Sequence, residues 1–241
     1  MMEFDVEQIL IEGAKSYGLK LELFHVEQFK NYCSLLLDYN KRVNLTAITD
    51  EFDIYTKHFL DSLSVYKTNL LNGNEKIIDV GTGAGFPAIP LKIIFPDLKV
   101  TLLDSLKKRI LFLEYLVESL NLKNVDFVHG RAEDIGHIDI YREKYDLVFS
   151  RAVASLNILL EYMSPFAKIN GYLIALKGNK AEDEINISKN SFNKLNLLYY
   201  NNIDIDIPFT DIKHNIIIMK KLNKLDKKYP RKPNIIKSKP L

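Results

Sequence analysis

Two carboxylates and three glycines are the residues of this chain whose types and spacing point most directly to chemistry. Asp79 lies within a short apolar run formed by Ile77, Ile78 and Val80, and Gly81, Gly83 and Gly85 follow it. The apolar stretch Ala88–Phe95 comes next and predicts a helix. A strand, a glycine turn and a helix make the entry unit of a doubly wound α/β sheet, whose ligands bind beyond the carboxyl ends of the strands. Glycines there let the backbone turn tightly and come close to a ligand. A dinucleotide site carries G-x-G-x-x-G before a helix that opens onto a pyrophosphate. Here the pattern is D-x-G-x-G-x-G, so the third glycine arrives one residue early, and Phe86-Pro87 stands where the helix would meet phosphate. That arrangement suits S-adenosylmethionine, which has no phosphate. Glycine loops also close ordinary strand–helix junctions, and this stretch alone leaves that reading open.

Asp104 ends a second apolar run, Val100–Leu103, roughly 20 residues past the turn, the offset at which a carboxylate accepts hydrogen bonds from ribose hydroxyls. A nicotinamide and an adenosylmethionine site both predict it, as does a simple helix cap. Ala132-Glu133 follows a third run, Val125–Val128, and is placed to frame an adenine. Glu133 taken alone reads as a solvated loop acid. Arg151 follows a fourth run, Asp146–Phe149, at the same rim, as a salt-bridge partner or a functional contact. Cys33 is the one cysteine, so a disulfide framework and a multi-cysteine metal site are excluded, and no metal site is expected. Cys33 falls on an apolar helical face and reads as a packed thiol.

These residues need a scaffold to hold them. Apolar positions at helical spacing predict helices over 5–17, stopped by Gly18, and over about 25–40, with a third capped by Asp50 and carrying Tyr55, Phe59, Leu63 and Tyr66. After Asn72-Gly-Asn74, strands and helices alternate. Helices are expected over 106–120, 156–168 and 181–194, and further strands over 172–176, 195–207 and 215–219. Alternation of this kind predicts a mostly parallel sheet with helices on both faces. The expected division is an N-terminal helical extension (1–72), an α/β core (73–221) and a C-terminal tail (222–241).

The net charge of +2 conceals an asymmetry: from Lys213 to Leu241 ten Lys or Arg face one acid, Asp226, leaving the rest of the chain at −7. A basic segment on an acidic body suits a polyanion partner, or is a solvated tail. No signal-like start and no apolar run of about 18–20 residues are found, so a soluble cytoplasmic protein without a membrane partner is expected, as a monomer.

Eight segments occur in an order that resembles one family. They are Asn44-Leu-Thr-Ala-Ile48, Lys57-His-Phe-Leu-Asp-Ser-Leu63, Asp79–Pro87, Leu103-Asp-Ser-Leu-Lys-Lys-Arg-Ile110, Arg131-Ala-Glu133, Ser150-Arg-Ala-Val153, Lys177-Gly178 and Tyr229-Pro-Arg-Lys-Pro233. Together they resemble the bacterial ribosomal RNA small-subunit methyltransferase G family, also called glucose-inhibited division protein B. Ala88 is a departure, since that family usually has glycine after Phe-Pro. The resemblance implies a class I S-adenosylmethionine-dependent methyltransferase fold, Rossmann-like, with a doubly wound, mostly parallel seven-stranded sheet. It implies N7-methylation of one guanine in the 530 loop of 16S rRNA, nucleotide 527 in standard rRNA numbering, on rRNA or the small-subunit particle. By position it assigns Asp79, Gly81, Gly83, Phe86, Asp104, Ser105, Leu106, Ala132, Glu133 and Arg151 to the cofactor. Asn44, His58, Lys177 and Arg231 become candidates for the RNA side.

The residues fit that chemistry. Guanine N7 carries a free lone pair, so no general base is expected. Accordingly, no Asn/Asp-Pro-Pro-aromatic motif for gripping an exocyclic amine is present, and no Pro-Cys nucleophile. Against a nicotinamide-dependent oxidoreductase stand the early third glycine and Phe86-Pro87. A non-catalytic RNA-binding assembly factor with a vestigial pocket would keep the basic segment but would not need Asp79, Asp104 and three glycines together.

Overall fold

The computed structural model describes residues 5–241. Two helices open it, α1 (Val6–Ser16) and α2 (Leu23–Val43). Asp5 caps α1 by accepting from the Glu7 amide at 3.0 Å, and the chain leaves α1 through Gly18 at φ +89°. The next helical stretch is a composite. It begins with α3 (Glu51–Ile54), where the Asp50 carboxylate accepts from the Asp53 amide at 3.0 Å as the sequence predicts. It then widens into a π-helix over Tyr55–Leu60, returns to α4 (Asp61–Leu63) and ends as a 3₁₀ turn over Ser64–Thr68. The wide turn buries Phe59 and Leu60 while leaving His58 facing a cleft beside the fully packed Asp61. Wide turns of this kind are frequent at functional sites.

The sheet follows: β1 (Lys76–Val80), α5 (Ala88–Ile94), β2 (Lys99–Asp104), α6 (Lys107–Ser119), β3 (Val125–His129), α7 (Ala132–Ile135), β4 (Tyr145–Arg151), α8 (Leu156–Met163) and β5 (Ala167–Lys177). Helices α9 (Ala181–Ile187) and α10 (Lys189–Lys194) precede β6 (Leu197–Asp206) and β7 (Lys213–Lys221), and α11 (Pro233–Ser238) closes the chain. The seven strands lie in the order β3-β2-β1-β4-β5-β7-β6, all parallel except β7, which runs antiparallel to both of its neighbours. The order reverses between β1 and β4, and the crevice beyond the strand ends at such a reversal is where α/β sheets bind ligands.

Alternate side chains of each strand enter opposite cores, as a two-residue period requires. Ile77, Leu147, Phe149, Ile174 and Leu176 pack under the N-terminal helices with α5 and α6. Ile78, Val80, Val148, Leu173 and Ala175 pack under α8 and the C-terminal segment. The N-terminal helices therefore share one core with the sheet.

Three expectations are corrected. The helix expected over 156–168 ends at Met163, because Pro165 supplies no amide hydrogen and clashes with the preceding turn, and Ala167 already belongs to β5. The helix expected over 181–194 is broken at Ser188. Residues 222–241, expected to trail as an extended tail, are docked: Leu225, Tyr229, Ile236 and Leu241 are buried in the α8-side core, and α11 is helical. The apolar side chains are spaced irregularly through that segment, so no periodicity announces them.

Candidate functional site

The glycine turn is built by two aspartates. Asp79 Oδ2 accepts from Thr82 Oγ1 at 2.8 Å and from the Ala88 amide at 3.3 Å. Its other oxygen, Oδ1, is buried without a protein partner among the described residues. Burial raises the Asp79 pKa from the usual carboxylate range to about 7, although Thr82 and Ala88 oppose the shift. Asp104 at the end of β2 accepts from the Gly83 amide at 3.0 Å and from Arg109 at 3.2 Å on Oδ2, and from the Leu106 amide at 2.8 Å on Oδ1. A carboxylate has about four lone-pair sites, so room for a further donor remains. The Ala88 methyl that departs from the family pattern is fully buried where α5 begins, and its amide is the one Asp79 holds.

Three clefts meet around this turn. One of about 230 Å³ is lined by Gly81, Asp104, Ser105, Ala132, Glu133, Tyr162 and Lys237, among others. A second, about 160 Å³, runs past Gly81, Thr82, Gly83 and Phe86 to His58 and Arg151. The third, about 410 Å³, begins at His58, Arg151 and Ala152 and extends to Lys177, Glu184 and His214. Shared walls join them: Gly81 belongs to the first two, and His58, Arg151 and Ala152 to the last two. Ala152 is held at φ +56°, a left-handed backbone uncommon for a residue with a side chain.

A buried polar chain crosses the junction. The Arg151 guanidinium donates to Asp61 Oδ2 at 2.7 Å, to the Lys57 carbonyl at 3.1 Å and to His58 Nδ1 at 3.1 Å. It also lies 4.8 Å from the centroid of the Phe86 ring. Because arginine only donates, Nδ1 of His58 is the acceptor, and its Nε2–H points to Thr46 Oγ1 at 2.9 Å. His58 stacks on Phe86 at 4.5 Å, and Tyr32 stacks on Phe86 at 5.4 Å. Desolvation, reinforced by the charge of Arg151, lowers the His58 pKa to about 3, so the ring is neutral at physiological pH. Burial works to raise the Asp61 pKa, but the His214 hydrogen bond at 2.8 Å and Arg151 hold it below the ordinary carboxylate value.

Eight of the ten residues predicted for a cofactor line these clefts, and Asp79 lies fully buried beneath the turn that it braces. Leu106 differs: its side chain is exposed, and only its amide takes part, on Asp104. Glu133, which alone read as a solvated acid, is buried in the first cleft. On the other side, His58 and Lys177 line the large cleft. Asn44 caps α2 in a left-handed conformation and lines none of the three clefts. Arg231 lies outside them as well and is consumed by Glu161, to which its guanidinium donates at 2.7 and 2.9 Å. Sequence reading missed Asp61, Glu184, His214 and Lys237. Asp61 lay inside a quoted segment, three residues after His58. The others carried no signal, since only the fold brings them to the rim.

The residues fit S-adenosylmethionine. Asp104 suits a ribose diol, the buried Asp79 Oδ1 suits a cation, and a Cβ placed on Gly83 would meet no protein atom within 4 Å, which leaves the turn open to a ligand. We expect Asp104→Ala to weaken adenosylmethionine binding by at least about 1.5–3 kcal/mol, the range for hydrogen bonds to a charged group. Calorimetry showing unchanged affinity would remove Asp104 from the nucleoside site.

Fold and site define a class I S-adenosylmethionine-dependent methyltransferase. The fold is shared with M. jannaschii TYW2 in complex with AdoMet: TM-score 0.53, 17% identity, over 68% of this chain and 77% of that one. The chain belongs to the rRNA small subunit methyltransferase G family, whose sequence model matches residues 25–203. It is 54% identical to the ribosomal RNA small subunit methyltransferase G of Thermoanaerobacter pseudethanolicus, over 97% of this chain and 98% of that protein. It is 48% identical to the protein of that name from Caldanaerobacter subterraneus, over 97% and 98%.

Proposed function

We propose that this protein methylates N7 of one guanine in the 530 loop of 16S rRNA, nucleotide 527 in standard numbering, using S-adenosylmethionine, on rRNA or the small-subunit particle in the cytoplasm. The relatives are named for ribosomal RNA of the small subunit, which supports the substrate class. One observation carries the choice of N7: the groups at the junction of the clefts are arranged to hold, not to take a proton. His58 Nδ1 is already occupied by Arg151, and Asp61 by Arg151 and His214. A nucleophile with a free lone pair needs no base there. The cofactor supplies a methyl group on a sulfonium sulfur. The protein supplies alignment, which by itself lowers barriers substantially. Asp104 and the turn fix the nucleoside, Phe86 with Arg151 and His58 walls the passage, and the large cleft receives the base.

N7 of a paired guanine lies in the deep, narrow groove of A-form RNA, beyond the reach of side chains. The base must therefore be unpaired or extruded into the cleft, as for other enzymes acting on bases. A cleft of about 410 Å³ falls within the usual size of small-ligand sites, ~300–1,000 Å³. Incubating the protein with adenosylmethionine and 16S rRNA or subunits, then mapping the methylated position, tests the assignment. Methyl at an exocyclic amine or a ribose hydroxyl would overturn it.

The pH dependence is a second check. With its pKa lowered to about 3, His58 stays neutral between pH 6 and 9, so single-turnover rates at saturating cofactor and RNA should be nearly flat over that interval. His58→Gln should retain most of that rate. Asp79, raised to about 7 in the free protein, is the carboxylate that titrates in this interval. Its ionised form favours a cationic ligand, so cofactor affinity should rise as pH increases through about 7 while the saturated rate does not. A saturated rate climbing tenfold per pH unit, and abolished in His58→Gln, would mean that a proton is being removed.

A further inference from the structure

We infer that Lys177 and Glu184 read the Watson–Crick edge of the target base and set the preference for guanine over adenine-like purines. This rests on the proposed guanine methylation and names what the far wall of the same cleft does. Lys177 ends β5 and Glu184 lies on α9, and both line the large cleft, whereas Phe86 and Gly83 belong only to the neighbouring passage. The Lys177 ammonium donates to Glu184 Oε2 and to the Ala154 carbonyl, at 2.7 and 2.8 Å. An ammonium has three donors, so one remains. Glu184 Oε2 also accepts from the Leu156 amide at 2.6 Å, whereas its Oε1 has no protein partner among the described residues. The ammonium and carboxylate are only 10% and 24% exposed, so their geometry is fixed.

The pair thus offers the cleft one donor beside one acceptor. The guanine edge offers the complement: O6 accepts and the adjacent N1–H donates. Adenine reverses both positions, presenting an amino group to Lys177 and a bare ring nitrogen to Glu184. O6 also neighbours N7, so a base gripped at O6 and N1 by the far wall turns N7 toward His58, Arg151 and the cofactor passage. A site built to hydrogen-bond specific groups rejects analogues lacking them, because its own polar groups are then left unpaired.

The test uses the full-length protein, adenosylmethionine and target RNA carrying guanosine, inosine or 2-aminopurine at the methylated position. Inosine keeps O6 and N1–H, and 2-aminopurine lacks both. Each single-turnover rate is divided by the intrinsic N7 reactivity of that RNA toward dimethyl sulfate. Wild type should treat inosine and guanosine alike and reject 2-aminopurine. Glu184→Gln keeps an oxygen for the Leu156 amide. It should lower the guanosine rate by about 10- to 100-fold, as expected for one lost bond to a charged group, and leave 2-aminopurine and cofactor affinity nearly unchanged. A purely structural role would lower all three rates together and leave their ratios intact, which overturns the inference. Should the variant fail to fold, the wild-type series decides: 2-aminopurine accepted as readily as guanosine overturns it. If the methyl is found elsewhere than N7, the proposed function falls and this reading with it. An N7 product with unchanged ratios removes this reading alone.

Discussion

Replacing Gly83 with valine should abolish adenosylmethionine binding, an expected loss of at least roughly 100-fold, or about 2.8 kcal/mol, by calorimetry. The backbone at Gly83 sits at φ +63°, and its amide is tied to Asp104 at 3.0 Å. Left-handed backbone costs residues with a Cβ roughly 1–2 kcal/mol. The larger effect is steric. A Cβ at Gly83 meets no protein atom within 4 Å, so valine would not break the core and would instead project into the passage beside Thr82 and Phe86. Gly85 makes the contrast: a Cβ there comes within 2.8 Å of Ile89 and of the Tyr32 hydroxyl, so Gly85→Val should lower thermal stability first. Normal cofactor affinity in folded Gly83→Val would mean that the ligand does not pass over the turn.

A comparably large effect is expected at Arg231, on stability rather than on RNA. Its partner Glu161 is completely buried on α8, and Arg231 satisfies it through its own amide at 2.8 Å as well as its guanidinium. Removing one member of a buried pair leaves an uncompensated charge and costs about 3–5 kcal/mol. Arg231→Met should therefore lower Tm by roughly 6–20 °C at this chain length. Replacing Glu161 with leucine in the same protein should restore most of the loss, because apolar substitution of a whole buried pair is often neutral. A phosphate contact would behave differently, removing about 0.7 from the log–log salt slope of RNA binding with little change in Tm. That second pattern would return Arg231 to the RNA side.

The turn and the alternation of strands and helices could be read from the chain because they depend on local pattern. Gly81 and Gly83 must take positive φ, and Asp104 must end a strand, whatever surrounds them. The rest depends on side chains distant in sequence. Residues 222–241 read as a tail, yet Tyr229 and Ile236 are buried and Lys237 lines the cleft beside Asp104. By reference values alone, His58 would titrate near neutrality and Asp79 would be ionised. Burial reverses the two, lowering one to about 3 and raising the other to about 7. Desolvation depends on the packed neighbourhood, and no spacing rule encodes it.

Asp61 joins segments that leave the ribosome at very different times. It is bonded to Arg151, 90 residues later, and to His214, 153 residues later. At elongation rates of about 5–20 residues per second, the N-terminal helices and the first parallel strands exist for many seconds before His214 is made. During that interval the Asp61 carboxylate lacks first both partners and then His214 alone, and the large cleft lacks β7. Contacts this far apart in sequence form late because the loop between them must first close. A nascent chain is therefore expected to acquire the glycine turn and the first parallel strands before the large cleft closes. The growing chain would complete the large cleft only once β7 has been made.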